Sequence, residues 1–277
     1  MTRVAVSRLE RTALGALRMV GDAGDLDPHA YSRFKHGDGD VSRQYGALLA
    51  EVLAPELACR RPERLVVTSS GFDVVPPAAH SLVAPFTASL RERLGHAVTV
   101  TVAKVRRLRP SDGDYATMDT ARRRASILDA LDTSSTAAQF AGAHVIALDD
   151  VVVTGLHERA MDTALKGAGA ASVQHAYVVD ASAFRGEPQV EAQLNHGQIR
   201  TVDDLVVLAA SPGFVPNARV ARLLLGAPVG DLRPALGALP SPVVTWLTEV
   251  ALGDPLAALP RFRAGASTLR DLVGQPA

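Results

Sequence analysis

The stretch His144-Val-Ile-Ala-Leu-Asp-Asp150, running on through Val151-Val-Val-Thr-Gly155, constrains the fold more than any other part of the chain. An apolar run of this length, rich in β-branched residues and ending in two acids, suits a strand buried on both faces. Such strands belong to parallel sheets covered by helices on each side. Helical spacing resumes after Gly155 and continues to Lys166, where Gly167 and Gly169 end it. Ser172 to Asp180 is a further strand-type run, ending His-Ala-Tyr-Val-Val-Asp.

The elements upstream fit the same architecture. Tyr31 to Asp38 leads into a helical pattern from Val41 to about Leu53, with Ser42 or Asp40 available as its cap. Arg64 to Ser69 is a second buried strand, opening onto the loop Ser69-Ser-Gly-Phe-Asp73. Pro76 and Pro77 start a helix from about Ala78 to Leu94, because proline is tolerated in a first helical turn. Ala97 to Val105 reads as another strand, Arg106 to Thr117 as a polar basic loop, and Met118 to Leu131 as a helix. Strands alternating with helices at this spacing require crossover connections and a parallel α/β sheet. Beyond Pro188 the pattern becomes helical, at Val202–Leu208, Asn217–Leu225, Pro242–Leu252 and Ala266–Val273. We therefore expect an α/β domain over residues 1–185, preceded by an arginine-bearing N-terminal arm, and a helical extension over 186–277.

Composition narrows the partners. The formal net charge is zero, which removes any global attraction to nucleic acid or an anionic membrane, so an anion must be held locally. Cys59 is the only cysteine, which excludes an internal disulfide and a cysteine-based zinc cluster and fits a reducing, cytoplasmic setting. Residues 1–20 lack the apolar stretch of a signal peptide, and no segment approaches the ~20 apolar residues of a membrane span. A soluble, unprocessed protein is expected. His36, His80, His144 and His175 show no metal-ligand spacing and read as structural.

Asp149 and Asp150 stand at the carboxyl end of a strand, where open parallel sheets bind ligands. Neighbouring side chains on a regular strand point to opposite faces, so the two acids meet one ligand only if the chain curls as it leaves the strand. They would then accept hydroxyl hydrogen bonds along a sugar edge. Val153-Thr-Gly-Leu-His157 enters the next helix, whose free N–H groups and dipole favour an anion of phosphate size. Thr154 adds a hydroxyl, and Gly155 lets the backbone approach. Read as ordinary local structure, the same residues are a strand-end acid capping a helix and a Thr-Gly turn. Paired acids also end strands in phosphoacceptor and Mg²⁺-binding α/β proteins.

Together, the hydrophobic strand, two acids, hydrophobics, Thr-Gly and helix resemble the phosphoribosyl pyrophosphate (PRPP) signature of the type I phosphoribosyltransferases. The resemblance implies that Asp149 and Asp150 bind the ribose 2′- and 3′-hydroxyls and that Val153, Thr154, Gly155, Leu156 and His157 bind the 5′-phosphate. Val153 stands where a threonine is common, and His157 where a threonine or serine often adds a hydroxyl, so phosphate binding that is weaker or pH-sensitive is expected. Phe34-Lys-His-Gly-Asp38 with Tyr45-Gly46 resembles the start of ComF-like members of that family. Tyr31-Ser-Arg-Phe-Lys-His-Gly-Asp38 and Pro216-Asn-Ala-Arg219 resemble segments of the ComF-like subgroup associated with tellurite- and stress-response biosynthetic operons.

The resemblance implies further site residues. Ser69, Ser70 and Gly71 would bind pyrophosphate through backbone amides, and Lys35 would anchor a phosphate or pyrophosphate. The basic loop, with Lys104, Arg106, Arg107, Arg109 and Tyr115 and followed by Arg122 to Arg124, falls where the family has a hood over the site. Lys104 and Arg106 would stabilise charge on the leaving pyrophosphate. Tyr115 and Phe72 could stack on an acceptor ring. The implied reaction transfers the 5-phosphoribosyl group of PRPP to a nitrogenous base or similar acceptor, with Mg²⁺ entering on the pyrophosphate. A non-catalytic regulator that binds PRPP or a nucleotide is the alternative, and a homodimer is the commonest symmetric assembly.

Overall fold

A computed structural model describes residues 2–95, 98–108, 131–187 and 189–273. The chain opens with a hairpin, β1 (Thr2–Arg11) and β2 (Leu17–Val20), followed by α1 (Pro28–Lys35) and α2 (Gly39–Arg60). Then come β3 (Arg64–Ser69), α3 (Val83–Leu94), β4 (Thr99–Val102) and a small pair, β5 (Arg106–Arg107) with β6 (Leu131–Asp132). After α4 (Ala137–Phe140) follow β7 (His144–Val152), α5 (Leu156–Gly167) and β8 (Ser172–Asp180). The remainder is helical: α6 (Val190–Asn195), α7 (Val202–Ala209), α8 (Ala218–Leu225), α9 (Val229–Ala238), α10 (Ser241–Gly253) and α11 (Arg263–Val273).

The main sheet has the order β2-β1-β8-β7-β3-β4, and every neighbouring pair is parallel except β1 with β2. This is the expected mixed α/β fold with helices on both faces. The N-terminus departs from expectation. Instead of an arm it supplies two strands of the sheet, with β1 paired along its length to β8. The helix after Tyr31–Asp38 is also longer than its apolar spacing suggests. Asp38, not Asp40 or Ser42, caps it by accepting from the Asp40 and Val41 amides, and it continues through Pro55. The turn expected to open the next helix is 3-10 over Ala78–Leu82, and α6 and α9 join the four C-terminal helices that were expected. The helix expected over Met118–Leu131 lies almost wholly outside the described residues.

Alternation along the strands sorts the core into two layers. Leu65, Val67, Ile146, Leu148, Ala176 and Val178 face α1, α2 and α3, where they pack with Phe34, Leu49, Leu53 and Phe86. Val66, Val145, Ala147 and Val173 face the other way, against Phe140 of α4 and Met161 and Leu165 of α5. The C-terminal helices enclose a core of their own, including Leu205, Leu224, Leu232, Leu247 and Phe262, which reaches the α/β layer through Val75.

The connection after β3 leads through α3 to β4 on one side, while the connection after β7 leads through α5 to β8 on the other. Between β3 and β7 the winding therefore reverses. Parallel α/β sheets open a crevice at such a point, beyond the carboxyl ends of the two strands. Here those ends carry Ser69 and Ser70 on one strand and Asp149 and Asp150 on the other.

Candidate active site

The curl expected after Asp150 does not occur. β7 stays regular to Val152, because Val151 and Val152 pair with Val179 and Asp180 of β8. The two carboxylates consequently diverge, one into each helix layer. Asp150 is buried and forms an ion pair with Lys35 at the end of α1, itself buried beside the Tyr31 ring. Lys35 is thus paired with Asp150 in this structure. Asp149 turns to the α5 side, where it accepts from the Ser70 hydroxyl at 2.7 Å and from the Asp150 amide at 3.0 Å. Ser70 therefore links the β3 loop to the acid pair across the crevice.

Burial, reinforced by the Asp150 charge, raises the Asp149 carboxyl to about 7, against the Ser70 hydrogen bond that favours its ionised form. His157 lies over it, with Nε2 3.8 Å from Oδ2. That nitrogen is buried and makes no hydrogen bond among the described residues. Burial first, and then the Arg107 charge, lower the imidazole to about 4. The His157 ring is therefore neutral at physiological pH and faces Asp149, not a phosphate as a protonated donor.

The loop between β7 and α5 keeps the conformation its glycine allows. Gly155 has φ +70° and is the residue from which α5 starts, so α5 opens with no side-chain cap. Its leading amides are left for an anion. Thr154 and Leu156 are half-buried at the loop surface, whereas Val153 turns inward and packs in the core. Val153 can contribute backbone only. One residue absent from the sequence reading belongs beside this loop. Arg3 of β1 holds the buried Glu158 of α5 by two hydrogen bonds, at 2.7 and 3.0 Å, and a side chain on Gly155 would come within 3.5 Å of its guanidinium. The alternation of Val4 and Val6 was the available signal for β1, obscured by the arginines around it.

The β3 loop is partly engaged. The Ser69 hydroxyl is shared with His80 Nδ1 at 3.0 Å, and the Phe72 amide donates to the Val105 carbonyl. Gly71 is packed so closely that an added Cβ would meet Leu131 at 2.7 Å. Lys104 donates to the Asp73 carbonyl at 2.5 Å and lies 4.1 Å over the Phe72 ring, and Arg106 pairs with Asp73. Both cations lie along the β3 loop. Arg107 reaches the site electrostatically, through His157. Arg109, Tyr115 and Arg122 to Arg124 lie outside the described residues.

Beside the β3 loop lies an open cleft of about 120 Å³. Gly71, Phe72 and Asp73 form one wall, Arg107 and Leu108 a second, and Ala218, Arg222 and Leu256 from the C-terminal helices a third. A family profile described as PRTase ComF-like matches residues 21–256, which takes in the acid pair, the Thr154-Gly155 loop and the helical wall of this cleft. The chain belongs to the ComF-like phosphoribosyltransferase family. No curated protein matches this ComF-like chain in sequence. Among solved structures it is similar to a hypoxanthine phosphoribosyltransferase from Staphylococcus aureus, with 14% identity, TM-score 0.30 and coverage of 50% of this chain and 64% of that one. It thus spans less than two thirds of that relative. A hypoxanthine phosphoribosyltransferase mutant from Trypanosoma cruzi, in a ternary complex with substrates, matches with 20% identity, TM-score 0.35 and coverage of 55% and 74%.

Among the described residues, no helix is long and apolar enough to cross a membrane. Nor are three or more His, Cys, Asp or Glu side chains grouped there to hold a metal ion.

Proposed function

We propose that this ComF-like chain transfers the 5-phosphoribosyl group from PRPP to a nitrogenous base or a similar acceptor, releasing pyrophosphate. The observation that carries the reading is the convergence of Asp149, Ser70 and an uncapped Gly155 helix start at the crevice where the sheet winding reverses. A sugar phosphate fits that arrangement. The α5 amides and the Thr154 hydroxyl take the 5′-phosphate, and Asp149 and Asp150 take ribose hydroxyls from the strand end.

Because Asp150 is paired with Lys35 before substrate arrives, ribose binding at Asp150 exchanges one charge-assisted partner for another. Lys35 is then released toward the pyrophosphate. The carboxylates suit Mg²⁺ carried in on the pyrophosphate, which takes few protein ligands and uses one or two carboxylates at most. Bound there, the ion would neutralise phosphate oxygens, and a nearby cation would relieve the cost of ionising Asp149. Lys104, Arg106 and Arg107 would meet the charge that grows on the leaving pyrophosphate, and the side chains above the site would exclude water as C1′ becomes electron-poor.

The cleft bounded by Phe72, Arg107, Ala218 and Leu256 is assigned to the acceptor. This division of labour is the reason we treat residues 1–185 as the donor-binding unit and 186–277 as a helical unit that completes the acceptor side. The test is to incubate the protein with Mg²⁺, PRPP and a panel of bases and to measure pyrophosphate release and new nucleotides. Binding of PRPP without turnover for any acceptor would instead identify a regulator. Intact PRPP binding by the Asp149→Asn, Asp150→Asn double variant would remove the site assignment.

A further inference from the structure

Pro216-Asn-Ala-Arg219 lies in the C-terminal unit, yet the fold delivers it to the donor side of the molecule. Phe214 bridges Asp38 in an antiparallel contact, and the Val215 amide donates to the Gly37 carbonyl at 2.8 Å. The Ala218 amide donates to the carbonyl of Pro76, beyond the β3 loop, also at 2.8 Å. The turn is therefore pinned between the segment that carries Lys35 and the segment that follows Ser70. Asn217 then starts α8, its Oδ1 accepting from the Arg219 and Val220 amides.

Two features of this corner are unexplained by folding alone. The Arg219 side chain, half-buried, makes no hydrogen bond or ion pair among the described residues, whereas Arg3 and Arg106 are paired. Asn217 is 2% exposed and its Nδ2 has no partner, and the Tyr31 hydroxyl of α1 is likewise buried without one. A buried donor left unpaired is costly, and such groups call for a water, an ion or a ligand.

Arg219 and the acids also bear electrostatically on a common side chain. Burial raises the Tyr31 phenol well above its usual value, Asp150 and Asp149 raise it further, and the Arg219 charge opposes them. Burial lowers the His36 imidazole to about 4, with the Arg219 charge adding to the effect. Arg219 and the acid pair thus act on one side chain, Tyr31, from different elements.

We propose that Arg219 is a binding residue of the donor site that takes the pyrophosphate group, brought to it by the C-terminal unit. The role rests on the phosphoribosyltransferase reading. It also supplies a function for the contacts at Gly37 and Pro76, which tie the start of α8 to those two segments.

Calorimetric titration of the full chain with Mg²⁺·PRPP, with inorganic pyrophosphate and with ribose 5-phosphate tests it. Arg219→Gln is expected to weaken PRPP and pyrophosphate at least tenfold and ribose 5-phosphate less than twofold, at an unchanged melting temperature, with Arg219→Lys recovering part of the loss. Equal weakening of all three ligands would indicate a local structural role and overturn the proposal, as would a lowered melting temperature that Arg219→Lys fails to restore. Wild-type PRPP affinity in Arg219→Gln, alongside loss in the Asp149→Asn, Asp150→Asn variant, overturns Arg219 alone. Failure of the wild-type protein to bind any of the three removes the donor reading and this role with it.

Discussion

Asp149→Asn is expected to make the protein more stable while removing its affinity for the donor. The wild-type carboxyl is raised from an ordinary 3.8 to about 7 by burial and by Asp150, so the folded state pays for ionising it. At about 1.36 kcal/mol per decade of proton affinity, the ceiling on that cost is about 4 kcal/mol. The side chain is 19% exposed and water screens part of the repulsion, so we take about 1–2 kcal/mol. Asparagine keeps an oxygen to accept from Ser70 and the Asp150 amide and turns its NH₂ toward the unpaired Nε2 of His157. For a chain of this size, that gain corresponds to roughly 2–8 °C in Tm.

The sign can be followed with pH. Below about 4 the wild-type carboxyl is protonated in both folded and unfolded states and costs nothing. As pH rises through the interval to about 7, the unfolded carboxyl ionises first, and wild-type stability falls relative to the variant. The difference in Tm should thus be full at pH 8 and nearly absent at pH 4, while titration calorimetry at pH 8 shows PRPP affinity reduced at least tenfold. A variant less stable than wild type at pH 8, or a Tm difference independent of pH, would refute the reasoning.

Three further outcomes are expected. Lys35→Met leaves Asp150 buried without its partner and should cost about 3–5 kcal/mol in denaturant unfolding, much of it recovered when Asp150→Asn is added. Gly155→Ala places a side chain at φ +70° and should cost about 1–2 kcal/mol, with a larger proportional loss in ribose 5-phosphate affinity because the α5 amides shift. His157→Gln should leave the pH profile of donor binding unchanged above pH 5, since the ring is already neutral there; a lost inflection between pH 6 and 7 would show that the imidazole titrates in that range.

The sheet was legible where its strands are apolar on both faces, as at Leu65–Thr68, Val145–Leu148 and Val173–Val179. β1 was not, because Arg3, Arg8 and Arg11 interrupt its alternation, and the acids that pair with Arg3 (Glu158 and Asp180) and with Arg11 (Glu187) lie far along the chain. The acid pair and Thr-Gly were legible as local chemistry. What local pattern cannot carry is direction. Asp150 is committed to a lysine 115 residues away, and β7 stays straight at the acids because of its pairing with β8. The same limit applies to Arg219, whose neighbourhood depends on how the helical unit docks at Gly37 and Pro76.

The pairing of β1 with β8 also dictates the order in which this protein can be assembled as it is made. Thr2 pairs with Gln174 and Arg8 with Asp180, so the strand synthesised first has no parallel partner until the last strand of the sheet has left the ribosome. Until then only the hairpin with β2 shields one edge of β1, and its other edge waits open while every element from α1 to α5 is made. Closure of β8 then joins, in one event, the sheet, the Arg3–Glu158 clamp and the β7–α5 loop beside it. A nascent chain halted before Asp180 would carry both acids and no functional crevice.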